Sequence, residues 1–131
     1  GIWFNSAKFF DIEYQVYGHV PNEIKPPMDS LYWEAPDGMK SIRLVFDSKE
    51  QCILGFNLLG IRFRQEVCEK WISQKTKIEE VLGYIRLAFF DPEFYLDYAK
   101  PLLEIYFQKS GKRIQLKSNG SLNAVLRFLK S

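Results

Sequence analysis

Cysteine and histidine are scarce in this 131-residue chain: Cys52, Cys68 and a single His19. The two thiols form no Cys-x-x-Cys pair, and one imidazole cannot complete a common zinc-ligand set with them. Two separated thiols point to a reducing, cytoplasmic setting and away from the disulfide framework of a small secreted domain. Long hydrophobic runs are missing as well. The longest, Ile53–Ile61, is interrupted by Asn57 and falls far short of the roughly 20 residues that a membrane helix needs, so no membrane partner is expected. The glycine signature of dinucleotide binding is also lacking. Gly55 and Gly60 bracket Phe-Asn-Leu-Leu without completing Gly-x-Gly-x-x-Gly, the spacing that lets backbone amides approach a pyrophosphate. Ile61-Arg62 after Gly60 excludes a P-loop. These glycines read as points of close packing in a sheet.

Acidic residues stop at Glu104, and Lys109, Lys112, Arg113, Lys117, Arg127 and Lys130 follow without one. A tail of this kind attracts phosphates, nucleic acid or an acidic neighbour, or is a solvated face. With a net charge of +2, nucleic acid is not expected as a partner, although Arg62-Phe63-Arg64 interleaves cation and aromatic as such surfaces do. The chain opens Gly1-Ile2-Trp3, with neither methionine nor a signal-like charged start. That start is compatible with a cut from a longer protein, and equally with methionine removal or a tag scar.

Aromatics are abundant instead, at 16% with 11 Phe and 7 Tyr. They supply either an association surface or a dense core. Phe10, Ile12, Tyr14 and Val16 alternate with Asp11, Glu13 and Gln15, the period of a half-buried strand closed by Gly18. A proline-containing connection over 19–30 leads to a strand at Leu31–Glu34. Ser41–Phe46 and Cys52–Leu59, separated by a polar turn, complete an antiparallel meander. The period then changes. Val67, Cys68, Trp71 and Ile72 make a helical stripe, and Thr76 with Glu79 forms a capping box ahead of Ile78, Val81, Leu82, Ile85 and Phe89. Asp91-Pro92 reads as a helix start, Pro101 as an interruption, and Asn119-Gly120-Ser121 as turn and cap of a last helix. Strands followed by helices give an α+β fold: an antiparallel sheet of four to five strands with helices packed on one face, in one domain over residues 1–131.

No assembled catalytic set is visible. His19 lies in a loop, Cys68 on an apolar stripe, and Cys52 has no basic neighbour in sequence to lower its pKa. The acid pairs Asp11/Glu13, Glu79/Glu80 and Asp91/Glu93 suit either solubility and capping or general acid–base work. No catalytic, cofactor-binding or metal residue is assigned.

Two stretches carry a resemblance. Phe9, Asp11, Glu13 and Gly18 stand at the spacings of a Phe-x-Asp-x-Glu strand with a glycine five positions on. Arg43–Asp47, Ile53-Leu54-Gly55 and Gly60 follow as a hairpin, then two helices with Thr76, Glu79, Glu80 and Leu82, then Phe90-Asp91-Pro92-Glu93-Phe94. In this order the chain resembles the C-terminal domain of the flavin-dependent pyridine nucleotide-disulfide oxidoreductases, the domain through which those enzymes pair. Asp91 stands where many members carry a histidine that serves the partner's active site. The segment looks more like the Tyr-Ala-Pro-Pro-Phe version of the NADH oxidase and coenzyme A-disulfide reductase branch.

The resemblance covers roughly residues 9–18 and 40–94. It implies a reductase C-terminal-like core over 9–94 with a helical extension over 95–131. It also implies an interface domain with no complete active site of its own, part of a larger FAD-dependent NAD(P)H oxidoreductase. FAD and NAD(P) are then expected in the parent protein and not on these residues. The expected partners are the parent's flavin and nucleotide domains and a second copy in a homodimer, with Phe90, Asp91, Pro92, Glu93 and Phe94 as the candidate interface. The alternative is a free-standing α+β module that binds a ligand or a protein.

Overall fold

A computed structural model describes residues 4–9, 12–90 and 98–131, with residues 4–9, 12 and 13 followed by backbone alone. Five strands, β1 (Phe4–Phe9), β2 (Ile12–Gly18), β3 (Met28–Glu34), β4 (Ser41–Asp47) and β5 (Ile53–Leu59), form one sheet in the order β1-β2-β5-β4-β3. Every neighbouring pair is antiparallel. The first strand is not anticipated by the alternation beginning at Phe10. β1 and β2 are hairpin partners, with Phe9 opposite Ile12 and Phe4 opposite Tyr17.

The continuous apolar run of β5 suits its central place, where both faces are covered. One face carries Ile42 and Leu44 from β4 opposite Leu58 and Phe56 from β5. It shares a buried core with Val67, Cys68, Trp71, Ile78, Val81 and Leu82 of the helices. The connection after β2 reaches over the other face. His19 N–H donates to Leu54 O at 2.9 Å, and a Cβ on Gly55 would stand 2.8 Å from Val20 Cγ2. Val45 and Val16 are buried on this second face.

In β2 the side expected to face solvent is buried as well. Tyr17 belongs to the helix-side core, and Gln15, on the same side, is buried. A polar residue is stable there because its amide oxygen accepts from Phe63 N–H at 3.3 Å and from the Tyr17 hydroxyl at 3.0 Å. A buried amide with partners loses little on leaving water, whereas one without partners is costly.

Helix α1 (Gln65–Ser73) buries Val67, Cys68 and Trp71, three of the four stripe positions, with Ile72 partly buried. Helix α2 (Ile78–Gly83) is short and passes into a 3-10 turn, Ile85–Ala88. The Thr76 capping box does not form: Lys77 is the N-cap residue, without a side-chain bond. Backbone at the start of β5 bonds this segment instead. Ile78 N–H donates to Gln51 O at 2.7 Å, and Thr76 O accepts Ile53 N–H at 2.8 Å. These bonds hold 76–78 against the start of β5, where Cys52 bridges Lys77.

The last helices are α3 (Ala99–Ser110) and α4 (Leu122–Lys130). The helix start expected at Asp91-Pro92 lies outside the described residues. Pro101 does not interrupt α3. It sits in the first turn, where its missing N–H would have had no intrahelical partner. Tyr98, Ala99, Leu102, Tyr106 and Val125 join the sheet's own core, so the C-terminal stretch is integral to the packing of this unit. Among the described residues no helix is long and apolar enough to cross a membrane.

Candidate functional site

The aromatics answer the question left open by composition. Ring centroids link Trp33 to Tyr98 (5.3 Å), Tyr98 to Phe89 (6.0 Å), Phe89 to Phe63 (5.6 Å) and Phe63 to Phe56 (6.2 Å). Phe56 continues to Trp71 (6.1 Å) and Trp71 to Phe128 (5.7 Å). This chain of tilted, edge and stacked contacts runs from β3 to α4 through the core, in the geometries that aromatic quadrupoles favour. Phe90, 49% exposed, and Tyr32, 41% exposed, stand outside it.

Phe90 is the described member of the expected interface; Asp91, Pro92, Glu93 and Phe94 lie outside the described residues. The backbone around Phe90 is held firmly. Phe63 and Phe89 form an antiparallel bridge. Arg64 N–H donates to Ala88 O at 2.6 Å, and Phe90 N–H to Arg62 O at 3.3 Å. The Arg64 guanidinium gathers the carbonyl oxygens of Leu87 (3.1 Å), Phe89 (2.6 Å) and Phe90 (3.4 Å). These are the orphan acceptors left where a helical turn ends, and a planar cation with several donors matches them. The Arg62 guanidinium lies 5.2 Å from the Phe90 ring centroid. The result is a solvent-facing aromatic ring with a cation on it, carried on braced backbone. Its chemistry is that of contact, because buried aromatic and arginine side chains dominate association energies.

Arg62-Phe63-Arg64 therefore splits three ways: Arg62 faces outward, Phe63 is core, and Arg64 is committed to carbonyls. A second cation–aromatic pair stands on the sheet face away from the helices. Arg43 lies 4.4 Å from the Tyr32 centroid and donates to Ser30 Oγ at 2.8 Å.

Reactive groups remain apart. His19 is exposed. Cys68 is fully buried, and burial together with the neighbouring Glu69 and Glu66 pushes its thiol well above the usual range, opposite to what a nucleophile requires. Cys52 is partly exposed. Glu79 and Glu80 project from α2, while Asp11, Asp91 and Glu93 lie outside the described residues. Among the described residues no group of His, Cys, Asp or Glu is arranged to hold a metal ion. Periodicity could not have found the Arg64 bracket, because it depends on residues that lie more than 20 positions apart. Compared with known family models, curated proteins and solved structures, the chain matches none.

Proposed function

We propose that these residues are the C-terminal interface domain of a larger, cytoplasmic FAD-dependent NAD(P)H oxidoreductase. The domain would pack on the parent's flavin and nucleotide domains and pair subunits in a homodimer. Its part is association, and the redox chemistry belongs to the rest of the parent. The observation that carries the reading is the continuous run from β4 to Phe90. A polar turn joins β4 to β5, Gly60 ends the sheet strand, α1 and α2 cover one sheet face, and the chain then emerges on an exposed, cation-backed aromatic. That is the order of elements on which the resemblance rests. Burial of the Phe90 ring against a partner would supply affinity without specific chemistry.

The test is the visible absorbance spectrum and length of the complete natural polypeptide. A yellow protein much longer than 131 residues, with a flavin spectrum, supports the proposal. A colourless protein of this same length overturns it and leaves the free-standing binding module. In the parent, Phe90→Ser should shift a subunit equilibrium toward monomer by about tenfold or more, the effect of losing one buried aromatic anchor. Unchanged association by sedimentation would remove Phe90 from the interface.

A further inference from the structure

The chain after α3 is fastened to the body at three points. Lys117 N–H donates to Gly83 O at 2.8 Å. Gly120 packs directly on the Arg86 backbone. Lys70 Nζ bonds the carbonyl oxygens of Phe128 and Ser131, the latter at 2.8 Å. Between these points the surfaces do not close. A cavity of about 510 Å³ opens between α1, α2 and α4, and a second of about 440 Å³ shares Lys117, Ser118, Ala124 and Arg127 with it. Each is within the range of about 300–1,000 Å³ usual for small-molecule sites.

The two ends of this groove differ in chemistry. One is walled by Tyr84, Leu87 and Phe128, and Glu80 lines it as well. The other presents Arg86, Lys117 and Arg127 beside Ser118 and Asn119. Three other cations of the basic tail are already paired. Lys109 pairs with Asp29 at 2.9 Å, Lys112 with Glu79 at 3.8 Å and Arg113 with Glu104 at 3.6 Å. Lys117 and Arg127 make no ion pair among the described residues, and both face the same groove. Two cations with adjoining hydroxyl and amide groups make an anion site, to which phosphate is well matched. Lys117 Nζ lies 5.8 Å from the Tyr84 ring centroid, which places the cation directly beside an aromatic wall against which a flat ring can pack.

We propose that this groove binds a nucleoside monophosphate. The phosphate sits between Lys117 and Arg127, and the base lies against Tyr84 and Phe128. This reading is independent of the interface role.

The experiment is a titration of the 15N-labelled 131-residue chain with AMP, followed by amide chemical shifts. Adenosine and ribose 5-phosphate, which lack the phosphate and the base respectively, serve as separate probes. The expected result is saturable shifts at Tyr84, Lys117, Ser118, Ala124 and Arg127, with each truncated probe about tenfold or more weaker than AMP. The variants Lys117→Gln and Arg127→Gln, both at exposed positions, should each weaken AMP by about tenfold while leaving the remaining spectrum in place. AMP shifts that do not saturate by about 10 mM, or that centre elsewhere, overturn the proposal. So does unchanged affinity in both variants. Ribose 5-phosphate binding as well as AMP would overturn the stacked base, and adenosine binding as well as AMP would overturn the phosphate site.

Discussion

Gly55→Ala isolates the close approach on which the sheet's second face depends. The residue lies in central strand β5, and its added methyl would overlap the His19 carbonyl oxygen and stand 2.8 Å from both the His19 carbonyl carbon and Val20 Cγ2. The obstacle is backbone, and it is fixed by the bond from His19 N–H to Leu54 O at 2.9 Å. It cannot rotate aside as a side chain would. Overpacking a filled site costs about 1–3 kcal/mol, and a backbone obstacle places the cost at the upper end, about 3 kcal/mol. For a chain of this length 1 kcal/mol corresponds to about 3–4 °C, so thermal unfolding should occur about 10 °C lower. Gly111→Ala is the control. Gly111 closes α3 with φ of 75°, and a Cβ there meets nothing within 4 Å. Its substitution costs only the left-handed conformation, about 1 kcal/mol, or a fall of about 3–4 °C. Calorimetry on the two variants decides the matter. Gly55→Ala no more destabilising than Gly111→Ala would refute the claim that His19 and Val20 are pressed onto β5.

Ser121→Ala removes the oxygen that accepts Ala124 N–H at 3.2 Å. It should cost about 1 kcal/mol, seen as faster amide exchange in α4 while β4 and β5 keep their protection. In the folded protein a thiol reagent at about pH 8 should label Cys52 and spare Cys68, whose thiol burial holds well above its usual range. Equal labelling rates for the two would show that α1 is not packed as described. Asp47 is held below its usual 3.8 by backbone amides of Glu50 and Lys49. A carboxylate with a depressed folded pKa adds stability above its unfolded pKa and loses it as pH falls through the folded one. Denaturant titrations should therefore show wild type losing its advantage over Asp47→Asn as pH drops below 3.8, and a constant difference between the two across that window would contradict the turn geometry.

The β4–β5 hairpin is legible in the sequence because its signals are local: two apolar runs and the polar stretch between them. The turn and cap at Asn119–Ser121 is legible for the same reason, since Ser121 acts on an amide three residues away. Legibility fails where distant backbone supplies what a local motif would otherwise provide. Thr76 and Glu79 have the spacing of a capping box, yet Gln51 O takes the first helical amide. Gln15 reads as solvent-facing by alternation, yet Phe63, 48 residues away, gives it a buried partner. A polar residue within an apolar alternation marks the wet face only when no partner waits on the dry one.

The same distinction governs the groove. The basic tail is visible in the sequence as a run of cations without acids, but which cations are neutralised is a tertiary fact. Asp29, which pairs with Lys109, belongs to β3, and Glu79, which pairs with Lys112, belongs to α2. Their partners come from elements earlier in the chain, and the segment 114–121 carries Lys117 past them to the opening beside α4. Charge in a tail therefore acquires direction through the points at which the tail is fastened. Here those points are Gly83, Arg86 and Lys70. Moving any one of them would redistribute the cations without altering the composition.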